Sequence, residues 1–322
     1  MNYTKTLLTL TLMTSLTCFG QEIKLKGNLS PIFDLSLDNK NIVLAVSDGQ
    51  ISNLYQYTIE EKKLTQLTDS KDAYYSRPVY SPKGDQILFL SKSLSSQTSD
   101  ICLLDLESKQ ITKVTDGKTY VTEATFHPTK NEIVFCGAEF LGNYSPVARK
   151  APHDLDVFSI DTDGKGLKRI TNLSAYELSS ITLSQSGDSV LCKLTEKGFD
   201  GIYLMSLKDS TIINKIEATN NPRPGIGTSF YSNPVFSKDF KKISFTAPYQ
   251  IYLMDLENKK CEELWSTFGK DEQAMVIFSR FANTNQKVIF SILEIKDRQY
   301  SSNAKIITID LVTKKTTTLE LK

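Results

Sequence analysis

The stretch SRPVYSPKGDQILFLSKS, Ser76 to Ser93, decides the fold. It reads as a short strand ending in an aromatic residue, a tight turn carrying Pro82 and Gly84, and a second, strongly apolar strand from Ile87 to Leu90. That is a hairpin. The same frame returns as FDLSLDNKNIVLAVS, ATFHPTKNEIVFCG, ITLSQSGDSVLCKL, PVFSKDFKKISFTA and SRFANTNQKVIFSI. In every copy the residue at the Ser81 position (Ser36, Ser81, His127, Ser184, Ser237, Ala282) stands six places before the first apolar residue of the second strand. Six copies share one register.

The anchors are separated by 45, 46, 57, 53 and 45 residues. A period of roughly 40 to 50 residues with about four strands per unit is the signature of a propeller blade. A second strand pair follows each hairpin, as in LYQYTIEEKKLTQLTD, ICLLDLESKQITKVTD, VFSIDTDGKGLKRITN and IYLMDLENKKCEELWS. The sequence therefore predicts an all-β fold, a six-bladed propeller of four-stranded blades, as a single domain over 21–322. Helix-like spacing is confined to a turn or two near Ser174 to Ser179 and Lys270 to Ala274.

SPKGDQILFLS, DICLLDLESKQITKVTDG and YQIYLMDL resemble the WD-like propeller repeats of the TolB-like family, whose blades join an SPDG-type turn to an IYxxD strand and an LT-ending strand. The resemblance covers nearly all of the chain after the leader. It implies a protein or peptide partner in the cell envelope, such as a peptidoglycan-associated lipoprotein or an outer-membrane complex. The first hairpin starts about a dozen residues after the expected leader, so the α/β domain that precedes the propeller in TolB proper has no counterpart there, and function does not carry over whole.

Residues 1–20 read as a signal peptide: Lys5, an apolar core from Leu7 to Leu16, and Cys18-Phe19-Gly20 before Gln21. Export to the periplasm or beyond follows. A lipoprotein anchored through Cys18 is the alternative, although Thr17 stands where Gly, Ala or Ser is usual. No later stretch is long and apolar enough for a transmembrane helix. Without the leader, 37 basic and 37 acidic residues balance, which argues against nucleic acid as a partner. Cys102, Cys136, Cys192 and Cys261 fall in apolar strands of four different repeats and read as unpaired core fillers. How the ring closes is open: the strands from Lys305 to Leu321 complete the last repeat, and EIKLK, Glu22 to Lys26, either latches onto it or lies outside.

Propeller strands alternate in direction, so short turns trim one face and longer loops crowd the other, where binding is expected. Two insertions are assigned to that face. Cys136 to Asp154 carries Phe140, Tyr144, Arg149, Lys150 and His153, and Ala218 to Pro234 carries Arg223, Phe230 and Tyr231. Aromatic and arginine anchors suit protein recognition, or the aromatics fold back and plug the channel mouth. At the starts of the innermost strands, Tyr74, Tyr75, Arg77, Glu123, Asn233 and Gln273 are the rim candidates.

Catalytic signals are sparse. Two histidines, His127 on a tight turn and His153 on a long loop, do not make a triad or a histidine metal centre. His153 to Asp156 lacks the glycine and alternating oxygens of a calcium loop, and no phosphate loop or nucleophile elbow is present. No cofactor is expected. The sequence favours a non-catalytic binding platform. The alternatives are a hydrolase or lyase acting on polysaccharide through acids at the channel mouth, which leaves no linear motif, and a glycan or small-molecule receptor at the Tyr74, Tyr75 and Arg77 rim.

Overall fold

The repeated hairpin frame is found in the computed structural model, which describes residues 27–96, 98–138, 154–210, 213–220, 230–282, 284–319 and 321. The strands follow one another in sets of four. The first set is β1 (Asn28–Leu35), β2 (Asn41–Ser47), β3 (Ser52–Thr58) and β4 (Lys63–Gln66), and the second is β5 (Ala73–Tyr80), β6 (Gln86–Ser93), β7 (Asp100–Asp105) and β8 (Ile111–Lys113). The third is β9 (Tyr120–Phe126), β10 (Glu132–Ala138), β11 (Asp156–Asp161) and β12 (Lys168–Arg169), and the fourth β13 (Glu177–Leu183), β14 (Ser189–Glu196), β15 (Phe199–Ser206) and β16 (Ile213–Lys215). The fifth is β17 (Ser232–Phe236), β18 (Lys242–Ala247), β19 (Gln250–Asp255) and β20 (Cys261–Ser266). The last is β21 (Gln273–Phe281), β22 (Lys287–Lys296), β24 (Lys305–Asp310) and β25 (Thr316–Leu319), with β23 (Gln299–Tyr300) extending β22. Within each set, neighbours in sequence pair antiparallel. A single parallel bridge, Ser52 to Tyr74, joins the first two sets.

The second strand of each set reads as a continuous apolar run because it is buried on both faces. In β2, Ile42, Leu44 and Val46 pack with Phe278, Ile289 and Ile306 of the last set. Val43 and Ala45 turn the other way, onto Ile87 and Phe89 of the second set. Similar apolar clusters lie between the second and third, third and fourth, fourth and fifth, and fifth and sixth sets. The core is thus a ring of sheet-to-sheet layers, and the cluster around Phe33 and Phe278, whose rings meet edge to face at 5.6 Å, joins its two ends. The strands Lys305–Asp310 and Thr316–Leu319 complete the last set, one of the two closures the sequence left open. EIKLK and the leader lie outside the described residues.

The anchor residue has a physical role. In four of the six copies its side chain accepts the backbone N–H that opens the second strand: Ser36 from Asn41 at 2.9 Å, Ser81 from Gln86 at 3.1 Å, Ser184 from Ser189 at 3.2 Å and Ser237 from Lys242 at 2.9 Å. His127 does this differently, accepting from Thr129 and Lys130 N–H through Nδ1, each at 3.2 Å. The LT motif also closes a loop. Thr68, Thr115 and Thr171 each accept, at 2.9 Å, the N–H of Leu54, Ile101 and Val157, and donate to Asn53, Asp100 and Asp156. Asp105, Asp255 and Asp310, which recur with the repeat, accept backbone N–H groups of the turns that follow them, the structural role such local bonding gives.

The two helix-like stretches are turn and strand: Glu177 to Ser179 belongs to β13 and Gln273–Ala274 opens β21, where burial in a sheet outweighs a weak helical spacing. One expectation, the placement of the second insertion, needs correction. The second insertion does not lie wholly on the long-loop face. Thr219 donates to Lys259 O at 2.9 Å, and Asn220 clasps Cys261 through Nδ2 to O at 2.9 Å and N to Oδ1 at 2.8 Å. Because β16 is only three residues long, the chain crosses early to the outer edge of the next set, beside its short turn. The carboxylate considered for a cation, Asp156, is fully buried and occupied by internal donors: Thr171 Oγ1 and Leu173 N at 2.6 Å, Arg169 at 2.5 Å and Ser174 N at 3.3 Å.

All four described cysteines are free and buried, as their apolar flanks imply. Burial pushes the thiols of Cys102, Cys192 and Cys261 up to about 12, and Cys136 well above its ordinary value. None is expected to react with an aromatic disulfide reagent at pH 8 in the folded protein, and all four in urea. Rapid labelling of the folded protein contradicts this.

Candidate functional site

The first strands of the sets, β1, β5, β9, β13, β17 and β21, meet around a central cavity of about 30 Å³. Counting four residues back from each turn anchor gives Ile32, Arg77, Glu123, Ser180, Asn233 and Phe278, and all six line that cavity. A register shift lies at or beside this level in each strand: Ile32, Arg77, Ser180 and Asn233 fall within it, whereas Glu123 and Phe278 follow it and stay paired with Cys136 and Ser291. At three of them the bulge residue is left-handed: Arg77 at φ 51°, Ser180 at 58° and Asn233 at 50°. Such backbone costs on the order of 1–3 kcal/mol and gathers at sites the surrounding fold holds in place.

Hydrogen bonds cross every junction around the cavity. Arg77 Nη1 donates to Glu123 Oε2 at 2.9 Å, and Ile181 N donates to Glu123 Oε1 at 2.5 Å. Ser180 Oγ donates to Asn233 Oδ1 at 3.2 Å, and Asn233 Nδ2 to Ile277 O at 2.5 Å. Arg280 Nε donates to Asp34 Oδ1 at 3.3 Å, and Tyr80 N to Asp34 Oδ2 at 2.9 Å, which returns the chain of contacts to the second set. The guanidinium of Arg280 also lies 4.2 Å from the Phe278 ring centroid. Residues following the bulge differ for a reason. In β13 the Ile181 N–H reaches Glu123, whereas Pro78 and Pro234 have no N–H to leave unpaired.

Asp34 keeps a small exposure of 15%, yet burial raises its carboxyl above the ordinary value, with Arg280 and the Tyr80 N–H acting in the opposite direction. The folded pKa thus lies above the unfolded value of about 3.9, so this group's stabilisation is full below that pH and is lost as pH rises through the folded pKa. Asp34→Asn, fixed in the neutral form, is expected to gain on wild type progressively as pH rises from 4 to 7. Urea titrations across that range check it, and a variant that loses ground contradicts it.

The long-loop face has a different character. Tyr74, Tyr176, Phe230, Phe268 and Tyr300 are the exposed aromatics among the described residues, at 39 to 59% exposure. Each sits near a strand end or connection on that face. The opposite face exposes aliphatic side chains, including Leu37, Leu167 and Val312 at its turns. The aromatics next to two of these turn inward instead. Tyr75 packs against Phe89 at 4.7 Å, and Tyr231 against Phe245 at 4.8 Å and Tyr252 at 5.8 Å.

Of the residues singled out in the sequence, Arg77, Glu123 and Asn233 come together at the cavity, and Tyr74 and Phe230 are exposed above it. Tyr75 and Tyr231 are packing residues. Gln273 opens β21 and pairs with Ile295, but the register places Phe278 at the cavity in that strand. Phe140, Tyr144, Arg149, Lys150, His153 and Arg223 lie outside the described residues. Sequence reasoning missed Asp34, Arg280, Tyr176, Phe268 and Tyr300. A signal for the bulge was available in the matched stretches YSRPVYS, Tyr75 to Ser81, and YSNPVFS, Tyr231 to Ser237.

No protein-family model matches the chain, and no curated protein matches its sequence. Solved structures match its fold. TolB from Acinetobacter baumannii superposes with a TM-score of 0.65 at 14% identity, covering 88% of this chain and 64% of that one. A putative TolB from Agrobacterium tumefaciens gives 0.59 at 15% identity over 81% and 86% of the two chains. An oligogalacturonate lyase from Vibrio parahaemolyticus gives 0.57 at 12% identity over 91% and 77%. The chain spans 64% of the length of the Acinetobacter TolB. At these identities the likeness establishes an all-β propeller, a fold shared by a lyase and by TolB, and leaves activity to the site itself.

Proposed function

We propose that this chain is an exported, six-bladed propeller that acts as a non-catalytic platform, binding a protein or peptide through its long-loop face in the bacterial cell envelope. One observation carries the reading: the exposed aromatics of the described residues gather on that face. Exposed Tyr and Phe on a rigid scaffold are what protein-recognition surfaces use, since they bury large areas with few rotors. The cavity beneath supports the same reading. Both oxygens of Glu123 are engaged by Arg77 and the Ile181 N–H, which leaves neither free to act as a general acid or base. Residues 1–20 support export, and among the described residues no helix is long and apolar enough to cross a membrane. The TolB-like resemblance supplies the partner class, a peptidoglycan-associated lipoprotein or an outer-membrane complex, and the basic and aromatic residues between 140 and 153, with Arg223, belong to the same proposed surface.

Affinity capture from crosslinked envelope extract tests it, with wild type run beside Tyr74→Ser/Phe230→Ser and a Phe140 to Ala151 deletion. A partner held by wild type and by an Ile111→Ser/Val312→Ser control, but lost from the face variants, is expected. Equal capture by all forms, or a captured and cleaved glycan, overturns the platform.

A further inference from the structure

We propose that the channel mouth takes a carboxylate presented at the end of an apolar peptide segment, with Arg77 as its ligand. This rests on the platform reading and names the part of a partner that the face receives. A guanidinium has five N–H donors. Among the described residues, the Arg77 side chain makes one hydrogen bond, from Nη1 to Glu123. The two members of this pair are unequally used. Glu123 is nearly buried with both oxygens occupied, whereas the Arg77 side chain is 34% exposed. The accessible charge at this point is therefore the cation. It is held there by a left-handed backbone at φ 51°, which a long side chain rarely adopts, and the following residue, Pro78, contributes no N–H of its own.

The surroundings select the ligand. Arg280 lines the same cavity, stacked on Phe278, but its charge is shared with Asp34, which leaves Arg77 as the ligand. The cavity beside it, about 30 Å³, is of a size that a group as small as a carboxylate occupies. Towards the long-loop face, three residues before Arg77 and Asn233, stand the exposed Tyr74 and, just ahead of β17, the exposed Phe230, whereas Leu29 and Tyr120 at the matching positions pack into the layers between sets. The two exposed rings suit apolar side chains next to the carboxylate and lower the local dielectric, which strengthens a forked Arg–carboxylate contact. A uronate also offers a carboxylate, but on a polar ring that gains little from these aromatics.

The test is a ligand-observed NMR titration of the whole protein with N-acetyl-Leu-Phe, its C-terminal amide, and galacturonate. The acid is expected to bind at least tenfold more tightly than the amide or galacturonate. Arg77→Gln is expected to lose about tenfold for the acid and nothing for the amide, and Arg77→Lys, which keeps the charge without the fork, to fall between. Glu123→Gln removes the competing carboxylate and is expected to tighten acid binding several-fold, a direction that a merely structural pair does not give. Thermal melts establish that each variant is folded. Equal binding of acid and amide, wild-type affinity in folded Arg77→Gln, weakened binding in folded Glu123→Gln, or preference for galacturonate overturns the proposal. The readout needs no protein partner, so failure of the capture experiment with the acid preference intact counts against the platform alone.

Discussion

Replacing Gly187 with alanine is expected to lower folding stability by about 2–4 kcal/mol, from overpacking together with a left-handed backbone. Gly187 lies in the turn between β13 and β14 at φ +76°, and a Cβ built there falls 2.1 Å from Nε2 of His127 in the neighbouring repeat. His127 has little room to yield. It is buried, and its Nδ1 accepts the N–H groups of Thr129 and Lys130, which assigns the proton to Nε2 of a neutral ring. His127→Ser supplies the side chain found at four of the other five anchors and opens the space. The double variant is expected to recover at least half of the loss, measured by urea unfolding, while Gly187→Ala within 0.5 kcal/mol of wild type contradicts the packing. Burial also holds the His127 pKa below its ordinary value. Its stabilisation is full above the unfolded pKa near 6.5 and fades as pH falls through the folded one, a dependence that His127→Ser removes.

Asp156→Ala is expected to cost about 3–5 kcal/mol, the range for removing one partner of a buried ion pair. Asp156 has no exposure, and its two oxygens receive Thr171 Oγ1, Leu173 N, Ser174 N and Arg169. Alanine leaves buried donors unpaired and releases the connection from β12 to β13. Asn keeps one acceptor and is expected to lose about half as much. A loss under 1 kcal/mol for Asp156→Ala by urea unfolding contradicts this account. These residues belong to the fold rather than to the binding face, so partner capture is expected to survive any variant that remains folded.

The repeat was legible because each copy must close the same turn. In all six copies the anchor N–H donates to the carbonyl five residues on, and in four a serine side chain also holds the N–H that starts a strand buried on both faces, which fixes the spacing from anchor to apolar run. Arg77, Glu123 and Asn233 were legible by the same logic, as polar residues in strands that line a channel. Phe278 and Ile32 occupy equivalent positions but were hidden by a search for polar side chains. Gln273 was misplaced by counting from the strand start instead of from the turn. The exposed aromatics were harder. Tyr74 and Tyr75 are adjacent, and which one faces solvent depends on a bulge that resets the alternation, so sequence alone leaves the phase open. The contact between Asp34 and Arg280 spans almost the whole chain and leaves no local pattern.

Site-specific photocrosslinking in cells tests the central claim most directly. A benzophenone amino acid is placed singly at Tyr176, Phe230 and Tyr300 on the long-loop face, and at Leu37, Ile111 and Val312 as controls away from it. Discrete protein adducts from the first group, and none from the second, are the predicted result. Adducts from both groups alike, or from the second group only, contradict a platform that works through the long-loop face.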